Sequence, residues 1–600
     1  MFLPPVTEDN NTRAMIDTWL GYNHNYRANP GEFWDEENLS SDLFPLFTPR
    51  KLRPVLIEQE NIRGTILYAG NLCYLAGDKF HYGEQVVDLA GYTLSTSTSQ
   101  QQLIPYGAYI LIMPMGVIIN TADLTDVQAL AASYTVTDGV TITYRMCDMN
   151  GSDRNATVSA TAPANPTDGQ YWLNTTTGEA GLYVYDGAQS SWTPVPTSYI
   201  KITIPGAQLT QSFAAGDVVT FNSYNSDLNK GAMIQILDDE YMVVMGMMND
   251  LSHTETTTAS WHLNIQRKVP TMDYVCADDN RVWGCYYGYN ADGELVNEIY
   301  ASKLGDPTNW YVFQALSTDS YTMSCGVPGK FTGCITYQGY PHFFKENAII
   351  KVYGSMPSEY QAYVTSCRGV QEGSYRSLAI VNEYLIYKSP SDIVIYDGSY
   401  PTSISQPLGR DRVFYSAVGG GTLNKYYVSM EDSGGKYYYF NFDLQYNVWH
   451  KEDAIRVESF TAEENGQIYA ATVDKIYGIG ANENVLFLNK KVGEEYVKWY
   501  AETIDMGVDL PDYKTPRQFT IRAYLPAESE IALQISYDGM PYEEVGIMRA
   551  PGQLVSQVFQ FVPYRCDHYR LKLSGHGPVR IYSLTTTYEM DSEEKNEYHI

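Results

Sequence analysis

The chain has 600 residues, with 70 Asp and Glu against 40 Lys and Arg, a formal net charge of −30. Its length implies several domains, because single cores rarely grow beyond about 250–300 residues. The acid excess excludes a general nucleic-acid coat, whose affinity comes from Lys and Arg on phosphates; 14% aromatic residues exclude bulk disorder, and only 18% charged residues exclude a long helical rod.

The first residues, MFLPPVTEDNNTRAMIDTWLG, lack the basic region, apolar core and small-residue cleavage site of a signal peptide. The most apolar stretch, Tyr109–Ile119, holds a Pro and a Gly and is too short to span a bilayer. The expectation is a soluble protein without a membrane anchor, made in the cytoplasm and not exported by ordinary secretion. Residues 1–62 do not alternate and read as an extended arm. Trp19, Phe33, Trp34, Phe44 and Phe47 must lie on another surface, either the chain's own propeller or a neighbouring subunit. Only Thr12–Leu20 and Thr125–Ala132 look helical.

Elsewhere the period is two. Short runs rich in Tyr, Val, Ile and Thr are punctuated by Gly, Asn-Gly and Asp-Gly, the chemistry of strands and hairpins. Residues 63–120 hold hairpins at 64–80 and 107–121, the second turning at Pro114–Gly116. Residues 121–268 are polar and rich in Thr, Ser and Ala, and read as one or two small inserted β domains. They contain a compact unit at 163–195, in which Trp172, Tyr183, Tyr185 and Trp192 would form a miniature core, and a hairpin at 233–248.

Between 269 and 495 one unit recurs five times, a strand, a turn and a second strand centred on an aromatic. The first strands begin at RVWGCYY (281–287) and continue through YPHFFKE, NEYLIYKS and NKYYVSME to GQIYAATV (466–473). The anchors Tyr300, Tyr353, Tyr396, Phe442 and Tyr477 stand roughly 35 to 53 residues apart, close to the period of propeller blades. The expected fold is all-β: a β-propeller of about six to eight blades, an inserted small β domain and a C-terminal β-sandwich. The sandwich occupies 496–590, with Phe519, Ile521, Leu533, Ile535, Leu571 and Leu573 facing inward, and residues 591–600 form an acidic tail.

No P-loop, dinucleotide fingerprint, nucleophile elbow or H-E-x-x-H motif is present, and no two of the nine His stand at i, i+4. The eight Cys include no C-x-x-C pair and read as reduced core thiols, although Cys276/Cys285 and Cys325/Cys334 share one spacing. Asp148–Asn155 is loosely like a calcium loop but lacks the Glu at its twelfth position and reads as a polar turn. Propellers can be glycosidases, but the S-x-D-x-G-x-x-W turns of sialidases are missing. Glu431–Gly435 and Tyr396–Gly398 read as hairpin turns. The 53 Tyr either fill blade interfaces or form an exposed platform for sugar stacking. The expectation is no catalytic, cofactor-binding or metal-binding residue, no cofactor, and no enzyme.

The phrases NLSSDLFPLFTPRKLRP (38–54), NRVWGCYYG (280–288), NEIYASKLGDPTNWYVF (297–313), GYPHFFKENAIIKVYGSMPSEYQ (339–361), SLAIVNEYLIYKSPSDIVIYDGSYPTSIS (377–405), NVWHKED (447–453) and RCDHYRLKLSG (565–575) resemble those of tail-associated propeller proteins. These occur in phages and prophages of Gram-positive gut bacteria and are similar to the tail nozzle, or stabilisation, proteins of short-tailed phages. The unit at 163–195 resembles a β module of phage tail and tail-fibre proteins. The resemblance implies a non-enzymatic structural protein of the virion tail, forming a hexameric ring on the DNA-ejection channel below portal and adaptor. Its partners would be its own copies, the tail adaptor, other tail proteins or fibres, and double-stranded DNA passing without specific binding. A strongly acidic wall suits such a channel, because it repels sliding DNA. The aromatic arm could supply the heterologous interface of the ring. The alternative is a tail-tip or baseplate receptor-binding protein that recognises host cell-wall glycans; an enzyme degrading surface polysaccharide is the third reading.

Overall fold

The computed structural model describes residues 11–591 except 93–99, 279, 291–292, 464–465, 481–493, 495, 510 and 550–551. The tail expected at 591–600 thus lies, beyond its first residue, outside the described residues.

The chain is all-β, and its centre is a β-propeller. Seven four-stranded antiparallel blades follow in order among the described residues. Blade 1 spans Ile62–Tyr68 to Gln85–Asp88, and blade 2 spans Gln102–Tyr106 to Val127–Ala129. Blade 3 spans Tyr274–Asp278 to Tyr321–Ser324, and blade 4 spans Gly333–Tyr337 to Gln361–Ser366. Blade 5 spans Ala379–Val381 to Thr402–Ser403, and blade 6 spans Phe414–Thr422 to Val448–Lys451. Blade 7 takes three strands from Ser459–Ala462 to Lys475–Ile479, and its outermost strand, Val55–Glu58, comes from the N-terminal region. That strand joins the two ends of the circuit. The innermost strands of blades 7 and 1 are also tied directly, with Thr65 Oγ1 2.8 Å from Ser459 Oγ and Leu67 N donating to Thr461 Oγ1.

The five recurrent units are the middle two strands of blades 3 to 7. These strands are packed on both faces, so they are the most apolar and the easiest to read. Their aromatic anchors are not equivalent: Tyr396 is 2% exposed and Tyr353 is 40% exposed. Blade interfaces are filled by rings whose hydroxyls reach a backbone carbonyl, as in Tyr387 OH to Arg368 O (2.7 Å) and Tyr426 OH to Ser377 O (2.9 Å). Cys276, Cys285 and Cys325 are buried in the interface of blades 3 and 4, and Cys334 packs against them.

Blade 6 needs a triple glycine. A Cβ on Gly420 would stand 2.2 Å from Phe460 Cβ, and one on Gly421 would stand 2.2 Å from Val381 Cγ2. The innermost strands of blades 5, 6 and 7 approach one another through this gap.

The insertion leaves after blade 2. Strand Val127–Ala129 pairs within that blade, so the propeller runs further than the expected boundary at 120. The insertion is an eight-stranded sheet, from Ala132–Thr135 at one edge to Ser252–Thr256 at the other, around its own core. A second sheet of four strands, Ala156–Ser159 to Ser191–Pro194, rides on it through Leu173 and Leu182. Its opposite face carries Trp172, Tyr183, Tyr185 and Trp192 with neighbouring centroids 5.2–5.5 Å apart.

The C-terminal sandwich has a four-stranded and a six-stranded sheet. Phe519, Ile521, Leu533, Ile535, Leu571 and Leu573 all lie in its core. Its strands include Glu543–Arg549 and Gln553–Phe559.

The extended arm is the largest correction. Asn11–Ile16 pairs with Arg580–Asp591, and Glu32–Glu37 pairs with Lys498–Thr503, so the N-terminal region supplies strands to both sheets of the sandwich. Trp19, Phe33 and Phe47 are buried in that core, and Phe44 stacks on Tyr446 at 4.3 Å. Trp19, Phe33 and Phe47 are thus used within the chain, while Trp34 and Phe44 are half-buried. The two expected helices are also strands, at Asn11–Ile16 and Val127–Ala129. Runs this short cannot hold a helix alone, and a sheet edge offers their backbone ready partners.

Buried polar contacts lock sandwich to propeller: His450 Nδ1 lies 2.8 Å from Glu36 Oε1, and Lys451 meets Asp35. Within the propeller, Arg53, just before the outermost strand of blade 7, holds both Glu452 and Asp453 at the end of blade 6. No helix among the described residues is long and apolar enough to cross a membrane.

Candidate functional site: a cavity at the propeller axis

One interblade connection stands apart. Residues 367–378, between blades 4 and 5, cross toward the axis and carry the single turn Tyr375–Ser377. Its contacts reach well beyond the two blades it joins. The Tyr375 ring lies 5.0 Å from Tyr274 of blade 3. Ser374 Oγ accepts from Ala417 N, and Gln371 Nε2 donates to Phe414 O, both in blade 6. Arg376 Nη1 donates to Glu458 O (2.9 Å) at the entry to blade 7.

Beside this turn is a cavity of about 510 Å³ between blades 5, 6 and 7. Its chemistry comes from Arg376, Ser416, Glu431, Tyr437, Arg456 and Glu458. Glu458 is held by two guanidiniums: Arg456 Nε lies 2.7 Å from one carboxylate oxygen and Arg376 Nη1 lies 3.3 Å from the other. Glu431 Oε2 accepts from Tyr437 OH at 3.0 Å. Burial pushes the Tyr437 phenol up, and its hydrogen bond to Glu431 adds to this. Arg456 also covers the Tyr437 ring, its Cζ 5.2 Å from the centroid.

Ser416 is placed by strain. A bulge between Tyr415 and Val418 interrupts the innermost strand of blade 6, and Ser416 there takes φ +51°. A non-glycine residue in this region is costly, and such bulges re-aim side chains beside binding and active sites.

The array alternates donors and acceptors around a polar hollow, which suits binding of a polar ligand. Glycoside hydrolysis requires one carboxyl group kept protonated to serve as acid. In Glu458 both carboxylate oxygens are already engaged by guanidiniums, which leaves neither free to reach a glycosidic oxygen.

The sequence named no site residue, and the structure places the motifs it weighed elsewhere. In the calcium-like loop, Asp148 Oδ1 accepts from Asn150 N and Ser152 N (both 2.9 Å), while Asp153 pairs with Arg145. These are the bonds of a polar turn. The turn at Glu431–Gly435 is a hairpin turn, with Asp432 Oδ1 accepting from Gly434 N and Lys436 N. The reading missed that Glu431, at its start, faces the axial cavity. Arg456 and Glu458 were also missed; they alternate just before the innermost strand of blade 7, where period-two spacing puts both on one side.

No family model and no curated protein matches the chain. Among solved structures, U3-55K aligns over 71% of this chain and 98% of its own, with TM-score 0.31 and 7% identity. An exo-β-1,3-galactanase from Phanerochaete chrysosporium bound to galactose aligns over 52% and 94%, with TM-score 0.19 and 7% identity. A glycoside hydrolase family 43 arabinoxylan arabinofuranohydrolase from Bacillus subtilis aligns over 53% and 95%, with TM-score 0.19 and 8% identity. At such scores the likeness carries nothing about the site.

Proposed function

We propose that the chain is a non-enzymatic structural protein of a tailed-phage virion, of the tail nozzle or stabilisation type, assembling as a hexameric ring on the DNA-ejection channel. The observation that carries this reading is the rigid joining of three β bodies. The propeller is joined to the sandwich by the buried Glu36–His450 contact and the Asp35–Lys451 pair, and to the insertion by Asn309 of blade 3, which donates to the buried Asp217 and accepts from Val218 N. A protein that transmits load between neighbours in a particle needs such fixed angles. The resemblance of the blade phrases and of the 163–195 unit supports the virion setting. Copies of the chain, the tail adaptor and fibres are the proposed partners, and an acidic wall would let DNA pass without adsorbing.

Because Trp19, Phe33 and Phe47 are buried in the chain's own core, the ring interface in this reading uses the outer surfaces of the folded body. Native mass measurement across a concentration series, with imaging of particles labelled by an antibody to this chain, tests the proposal. A six-fold assembly with label at the tail supports it. A persistent monomer, or label absent from the particle, defeats it.

A further inference from the structure

We infer that the axial cavity beside the Tyr375–Ser377 turn is a binding site for a neutral saccharide of mono- or disaccharide size. The inference goes beyond the structural role and stands without the ring.

The volume, about 510 Å³, is in the range of small-molecule sites. Charge then narrows the ligand. Arg376 and Arg456 are both engaged by Glu458, so a phosphate or carboxylate ligand would compete with that carboxylate for them and be repelled by it and by Glu431. What remains is a set of unspent hydrogen-bonding groups. Glu431 uses only Oε2 on Tyr437, leaving Oε1 without a bond from any described residue. Ser416 Oγ likewise makes none among the described residues, although its backbone is held in a strained conformation to put it there. Arg456 is 62% exposed at its side chain and spends Nε on Glu458, keeping its terminal nitrogens as donors. A carboxylate acceptor, a hydroxyl and a guanidinium around one hollow match the adjacent hydroxyls of a sugar ring, each of which donates and accepts. Tyr375 and Tyr437 add ring surface for the apolar face of the sugar.

The site binds and does not cleave in this reading, because Glu458 is held as an ion-paired carboxylate and Glu431 is tied to a phenol.

The test uses the full chain. Saturation-transfer NMR and calorimetry are run with D-glucose, D-galactose, N-acetylglucosamine and their β-1,4-linked disaccharides. N-acetylneuraminic acid, glucose 6-phosphate and a proline-rich peptide are run beside them. At least one neutral sugar should bind saturably, and Glu431→Gln and Arg456→Ala should each weaken it tenfold or more with an unchanged melting midpoint. Ring assembly, measured separately by mass, should be indifferent to the sugar and to both variants. The inference is overturned if no neutral probe binds, if only the anionic or peptide probes bind, or if binding survives both variants. Should Glu431→Gln fold poorly, Arg456→Ala alone decides, since its side chain is exposed.

Discussion

Asp217 Oδ2 lies 2.7 Å from Arg267 Nη1, and both residues are buried where the insertion leaves the propeller. Asn309, from the long loop of blade 3, donates to the other oxygen of Asp217 at 2.8 Å and accepts from Val218 N. Arg267 Nε donates to Leu130 O at the end of blade 2. One buried carboxylate therefore fixes the insertion against two blades. Removing it strands a buried guanidinium, a change that costs about 3–5 kcal/mol. Asp217→Ala should raise amide exchange across Val218–Phe221, Asn264–Arg267 and the insertion root while leaving blades 5 to 7 protected. Unchanged exchange at the root would show that the pair is not the hinge pin.

The gap at Gly420 predicts a specific rescue. Gly420→Ala places a methyl on Phe460 Cβ, and overpacking of this kind costs about 1–3 kcal/mol or more. The double variant Gly420→Ala/Phe460→Gly removes the Cβ that the new methyl meets. It should melt higher than Gly420→Ala alone, the reverse of what two independent losses would give. Additive melting shifts would place the strain elsewhere.

The legible parts of this fold share a physical cause. The paired middle strands of blades 3 to 7 carry dense apolar runs because both their faces are covered. A flanking strand such as Thr402–Ser403 is only two polar residues, with no pattern to read. The membership of Asn11–Ile16 in the sandwich depends on partners at Leu584–Glu589, at the other end of the chain, and no local period reveals it. The axial cavity was hidden for a related reason. Ser416, Glu431 and Glu458 belong to three different strand ends, and only ring closure brings them together. Cys276, Cys285, Cys325 and Cys334 meet in one blade interface, yet the first two sit on one hairpin and the last two on either side of a blade junction, so their shared spacing did not reveal the contact.

Trp19 separates the two roles considered for the N-terminal region. Its indole stacks on Phe33 at 5.6 Å, and Nε1 donates to Ile581 O at 3.2 Å inside the sandwich. Trp19→Ala should cost about 3–5 kcal/mol, as for other buried Trp truncations. The sandwich should become the first part of the chain to yield to protease. An interface role would instead leave the melting of the free chain unchanged and weaken only its assembly.

His342 gives the fold a pH dependence of definite sign. Its ring is fully buried between Tyr337 and Tyr396, Nδ1 lies 2.9 Å from Tyr340 O, and Nε2 has no partner among the described residues. Burial holds the imidazole down to about 4, and nearby Lys351 pushes the same way. The unfolded imidazole takes up its proton near pH 6.5, so between there and about 4 the unfolded chain binds more protons than the folded one. Stability contributed by the neutral ring is therefore whole above pH 6.5, falls as pH drops through this interval, and levels off below it. The full loss is on the order of 3 kcal/mol. Melting midpoints of the wild type and of His342→Gln, measured from pH 7 to pH 4, check this. The wild type should lose more than the variant across the interval, and parallel curves would remove His342 as the source.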